Sequence, residues 1–114
     1  MYIRPAGKVK AFAITSRNRF SGAPDVPTIA EAGLPGFEAT TWFGMVSPAK
    51  LPADLANKIH TDLVDIIRSA AAREWFLKQG AEPAPGTPEE FTAFMKNEIA
   101  KWGKVIRAAG IKAE

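Results

Sequence analysis

The stretch from Pro24 to Gly44 reads Pro-Asp-Val-Pro-Thr-Ile-Ala-Glu-Ala-Gly-Leu-Pro-Gly-Phe-Glu-Ala-Thr-Thr-Trp-Phe-Gly, and no other part of the chain restricts its conformation as tightly. Pro24 and Pro27 fix φ on either side of an Asp25-Val26 pair that should lie exposed. Thr28 has the chemistry of a helix cap, with Glu31 and Ala32 following, while Gly33, Pro35 and Gly36 break whatever it starts. The run therefore predicts a short helix over about 28–32 and then an aromatic strand.

Elsewhere the hydrophobic spacing sets the elements. Residues 9–15 are rich in Val, Phe and Ile and alternate weakly, which predicts a strand with Ala11, Ala13 and Thr15 on one face. Residues 16–23 are polar and should form a surface loop. A second strand over 40–47 carries Trp42, Phe43, Met45 and Val46 and is apolar on both sides, as in a central strand covered by helices on each face. Leu55, Ile59, Leu63, Ile66 and Ile67 recur at helical spacing after Pro52, predicting a helix to about residue 69. Another helix should run from Ala71 or Ala72 to Gln79, turning Trp75 and Phe76 inward and ending at Gly80. Pro83 and Pro85 lack ladder donors, so 82–85 reads as an edge or a connector.

The last helix has the clearest signals. Thr87 caps it, Pro88 fills its first position, Glu90 completes a capping box, and Phe91, Phe94, Met95, Ile99 and Trp102 form a core-facing stripe that ends at Gly110.

Composition excludes several classes of function. A chain of 114 residues is one domain or less. No window approaches the roughly 18 apolar residues of a membrane span. The absence of cysteine removes disulfides and thiolate chemistry. The net charge of +3 arises from fifteen Lys and Arg scattered among twelve acids, with a local excess only at Lys8, Lys10, Arg17 and Arg19, so nucleic acid is not an expected partner.

Catalytic constellations are missing too. His60 is the single histidine and stands in a helix without a second ligand at zinc-motif spacing. Ser16, Ser21, Ser47 and Ser69 lack a Gly-x-Ser-x-Gly elbow. Glu89-Glu90 and Asp62 with Asp65 fall on helix surfaces, and Asp54, Lys58 and Asp62 are spaced as ordinary ion pairs. Gly33 and Gly36 fit no phosphate loop. The reading is non-enzymatic, with no cofactor and no metal.

The 24–44 run, preceded by Gly7-Lys8-Val9-Lys10-Ala11-Phe12-Ala13-Ile14-Thr15-Ser16, closely resembles the solute receptors of tripartite tricarboxylate transporters, the Bug-type binding proteins. The resemblance reaches from about Gly7 to Gly110 and covers only part of that family's fold. It implies the C-terminal portion of a longer, two-lobed receptor: an α/β fold, a partial periplasmic-binding-protein type II lobe, with two or three strands packed against three to four helices including the long C-terminal one. Residues 1–114 are then a single partial domain, with 7–40 in the inter-lobe hinge region and 41–114 in the helical lobe portion. Met1-Tyr2 stands where the family has a signal peptide and first lobe, so truncation is expected.

In function the resemblance implies a periplasmic receptor that captures a small carboxylate and hands it to membrane transporter subunits. A carboxylate is gripped by hydroxyls and backbone N–H groups at strand ends. Thr15 and Ser16 end the first strand; Thr40 and Thr41 open the second beside Trp42 and Phe43. These six are the candidate ligand residues, and the resemblance puts them near the hinge. Trp42 and Phe43 are equally good core residues, and Thr40 and Thr41 good strand formers. Apolar helix faces left without a covering lobe predict self-association, with the isolated chain a homodimer that binds no ligand as the alternative reading.

Overall fold

The computed structural model describes residues 9–112. They divide into two compact units, Met1–Pro83 and Ala84–Glu114. Three helices are present among the described residues: α1 (Ala53–Arg68), α2 (Ala70–Lys78) and α3 (Pro88–Ala108).

The first unit is built on loops ahead of α1 and α2. Of the strand expected over 9–15, a single parallel bridge between Ile14 and Thr28 forms. Ile14 donates its N–H to the Pro27 carbonyl and accepts from Ile29, both at 2.9 Å. The segment expected as a strand over 40–47 forms neither strand nor turn and has no ladder partner among the described residues. Its side chains show the consequence: Phe43 is 94% and Val46 80% exposed. An extended segment becomes a strand only when neighbouring backbone satisfies its N–H and C=O groups, and propensity cannot supply that neighbour.

The short helix expected over 28–32 is one turn. Ala32 donates to the Thr28 carbonyl at 3.0 Å, and the chain then turns through Gly33 and Gly36, both at positive φ. Val26, read as exposed, is buried, as is Phe20 from the stretch read as a surface loop. Phe20 donates nothing to a periodic pattern, so its burial left no mark in the sequence. A carboxylate of Glu82 accepts the Ser21 N–H at 2.8 Å and ties that loop to the chain beyond α2.

Ser69 separates α1 from α2 with an extended backbone. Its hydroxyl donates to the Ile66 carbonyl at 2.7 Å and accepts the Ala72 N–H at 3.2 Å, so one side chain closes one helix and opens the next. Pro52 directly precedes α1, and Lys58 pairs with Asp62 at 2.9 Å. After α2, Gly80 at φ 75° lets Gly80 N–H reach the Leu77 carbonyl and Ala81 N–H the Phe76 carbonyl, a Schellman closure. Leu55, Ile59, Ile66 and Trp75, expected to face a core, are exposed. Residues 82–85 form no strand and serve as a connector.

The second unit is α3 and its flanks. Thr87 Oγ1 accepts the Glu90 N–H at 3.1 Å while Glu90 Oε2 accepts the Thr87 N–H at 2.8 Å, the reciprocal box the spacing predicts. Glu98 is buried, accepting the Trp102 indole N–H at 2.8 Å and pairing with Lys101. Trp102, expected in the core, is instead partly exposed.

Candidate functional site

The two polar segment ends come together through the backbone. Ala39 donates its N–H to the Thr15 carbonyl at 2.9 Å, which sets Thr40 and Thr41 beside Thr15 and Ser16. Thr15 is exposed and Ser16 half-buried. The Ser16 hydroxyl donates to the Asn18 carbonyl at 2.6 Å, a local turn that leaves its oxygen free only to accept.

Alternation splits the aromatic side of the cluster. In extended backbone, residues two apart share a face. Thr40 is half-buried and Trp42 40% exposed, whereas Thr41 is exposed and Phe43 stands almost wholly in solvent. Thr40 and Trp42 are thus the less exposed pair, Thr41 and Phe43 the more exposed one. Phe43 is not core in these residues.

Beside them lies a polar node that the sequence only half announced. Arg19 grips Glu31 with Nε at 3.1 and 2.9 Å from the two carboxylate oxygens, and its Nη1 donates to the Pro24 carbonyl at 3.1 Å. Glu31 Oε2 also accepts the Thr28 N–H at 2.7 Å, and the Glu31 N–H returns to Thr28 Oγ1 at 3.1 Å. The Arg19 hydrogen bonds, and next the Thr28 N–H, hold the Glu31 carboxyl below its ordinary value of 4.5. The Thr28-Glu31 spacing carried the capping half of this node. The Arg19 half spans a loop, where no periodicity marks a partner. Arg17, Asn18, Arg19, Thr28, Glu31 and Gly36 line an open groove of 440 Å³ alongside the node.

Among the described residues, no cluster of three or more His, Cys, Asp or Glu side chains is placed to hold a metal. His60 is half-buried on α1. No helix of the described residues is long and apolar enough to cross a membrane.

Two solved structures share this architecture. The structure of periplasmic binding protein BugD is 32% identical, with a TM-score of 0.77 over 97% of this chain and 38% of that one. R. palustris Rpa4515 with adipate is 33% identical, with a TM-score of 0.75 over 93% of this chain and 36% of that one. The fold is accordingly a partial lobe of the periplasmic binding-protein class. Residues 1–111 match the TctC model, the tripartite tricarboxylate transporter family receptor, and the chain belongs to that family. Among curated relatives, protein BugT of Bordetella pertussis is 35% identical over 107 residues, which is 94% of this chain and 33% of BugT. The UPF0065 protein in the tcbD-tcbE intergenic region of Pseudomonas sp. is 36% identical over 102 residues, 89% of this chain and 30% of that protein. The chain spans about a third of the length of these curated relatives.

Proposed function

We propose that this segment forms part of a periplasmic solute receptor that captures a small carboxylate between two lobes and delivers it to the membrane subunits of a tripartite tricarboxylate-type transporter, making and breaking no covalent bond. The observation that carries this reading is the family match across residues 1–111. The backbone bond from Ala39 to Thr15 adds to it by gathering hydroxyls and an indole at one edge of the first unit. Thr15, Ser16, Thr40 and Thr41 are the proposed hydrogen-bonding residues, with Trp42 and Phe43 supplying apolar contact to the ligand's carbon chain. Adipate, the molecule in the Rpa4515 structure, is a suitable first probe, beside citrate, malate and glutamate. In a receptor containing this segment, Trp42→Ala should weaken the tightest of these ligands about tenfold or more by calorimetry, the usual scale for losing one well-packed contact. Unchanged affinity removes Trp42 from the site.

A homodimer of the isolated chain is the second reading, favoured by the exposure of Phe12, Phe43, Met45 and Val46. Light scattering after size-exclusion chromatography decides it: a monomer across the accessible concentration range rejects the dimer.

A further inference from the structure

The apolar stripe of α3 is covered unevenly along its length. Phe91, Phe94 and Met95, in the N-terminal half, are half-buried. Beyond Glu98 the same stripe lies open: Ile99 is 74%, Trp102 40%, Val105 46% and Ile106 44% exposed. At about 100° per residue these four fall within about 120° of one another around the helix. The other side of this half is basic. No Asp or Glu occurs from 99 to 112, whereas Lys101, Lys104, Arg107 and Lys112 do. The side chains of Lys104 and Arg107 are exposed and make neither hydrogen bond nor ion pair among the described residues. The helix C-terminus accounts for a cation in the last turn, Arg107, but not for the open apolar face on the other side of it.

We infer that the C-terminal half of α3 is a docking face for the surface of an anionic phospholipid bilayer, its apolar side entering the headgroup boundary and its cations reaching the lipid phosphates. A helix that lies in such an interface carries a broad apolar face with an aromatic residue, and Lys or Arg on the polar one. Trp102 supplies the aromatic ring, and its neighbours Ile99, Val105 and Ile106 the aliphatic area. Long basic side chains lay their stems along apolar surface while the charge stays in water. Lys101 does so already, with Nζ 5.4 Å from the centroid of the Trp102 ring. Glu98, the acid nearest this face, is buried and paired with both the Trp102 indole and Lys101, so it brings no open negative charge to the lipid. Charge also decides against a second copy of the chain as occupant, because two such helices would bring their cations together with no acid from 99 to 112 on either. The face shares no residue with the Thr15, Ser16 and Thr40 to Phe43 cluster, so it and the function proposed above stand or fall separately.

The test is flotation of this chain with vesicles of phosphatidylcholine alone and of phosphatidylcholine mixed equally with phosphatidylglycerol, at low and at high salt. The chain should float with the anionic vesicles at low salt only, since an ionic strength near 1 M shortens the screening length to about 3 Å. Lys104→Gln combined with Arg107→Gln should lower the partition coefficient about 25-fold, roughly fivefold for each cation near an anionic surface. Neither side chain has a structural partner among the described residues, so the circular dichroism spectrum should be unchanged. In a chain carrying Trp42→Phe and Trp75→Phe, brominated lipid should quench the remaining Trp102 emission. Equal flotation with both vesicle types, flotation with neither, an unaltered partition coefficient in the Lys104 and Arg107 variant, or Trp102 emission indifferent to brominated lipid would each overturn the proposal. So would a Trp102 blue shift that grows with protein concentration in the absence of vesicles, which assigns the face to a second copy.

Discussion

Replacing Thr28 by Val tests how the first unit holds its central turn. Thr28 is 2% exposed, the most deeply buried side chain described, and it bridges to Ile14 through its backbone. Val occupies nearly the same volume, so no cavity opens; what disappears is the oxygen that accepts the Glu31 N–H at 3.1 Å. A partly buried donor left without its partner costs about 1–2 kcal/mol. With a urea slope of about 1–1.5 kcal/mol/M for a unit of this size, the midpoint should fall by roughly 1 M. Thr28→Ser separates the causes, because it keeps the acceptor and removes one methyl, a loss of about 0.8 kcal/mol or somewhat more with the void it leaves. Both variants should therefore lose stability, yet only Thr28→Val should also expose the Glu31 amide to faster hydrogen exchange. Urea unfolding and amide exchange, both followed residue by residue by NMR, give the two readings. A Thr28→Val midpoint within experimental error of the parent, or a Glu31 amide as protected as before, would refute the reasoning.

Two further outcomes follow from the same geometry. The Glu31 carboxyl sits below its ordinary 4.5 in the folded chain, so the unfolded chain binds a proton more readily; the resulting stabilisation is complete above about pH 4.5 and disappears as pH falls through the folded value. Arg19→Gln removes the leading cause and should bring the Glu31 midpoint up toward 4.5 in a carbon-detected NMR titration, and an unmoved midpoint rejects Arg19 as that cause. In the second unit, Thr87→Ala should destabilise the start of α3 by about 1 kcal/mol, seen as faster exchange at the Glu90 and Phe91 amides, while Thr87→Ser should behave as the parent.

The legible parts of this chain are those whose physics is local. Thr87, Pro88 and Glu90 lie within one turn of each other, so their capping geometry could be read before any tertiary contact was known. Gly80 and Gly110 stop α2 and α3 by adopting positive φ, which needs only the residue itself. The family was legible for a related reason, since the proline and glycine spacing of 24–44 is a pattern along the chain. Strand pairing was not. Residues 9–15 and 40–47 have strand composition, but a ladder needs another segment at hydrogen-bonding distance, and among the described residues the pairing is limited to Ile14 with Thr28 and its neighbours and Ala39 with Thr15. Of the candidate site, the residue types at segment ends were readable, whereas the Arg19–Glu31 fork and the groove beside it were not.

The amino-acid order alone determined the helices, their stops, the turn after Thr28 and the family, because backbone dihedral preference and side-chain caps act within a few residues. Tertiary structure decided that Phe20 and Val26 are buried while Phe43 lies open, that Arg19 is spent on Glu31 while Arg17 is not, and that Thr15 lies beside Thr40. Burial and long-range ion pairing depend on which surfaces meet across a loop, and one-dimensional periodicity carries no record of that meeting.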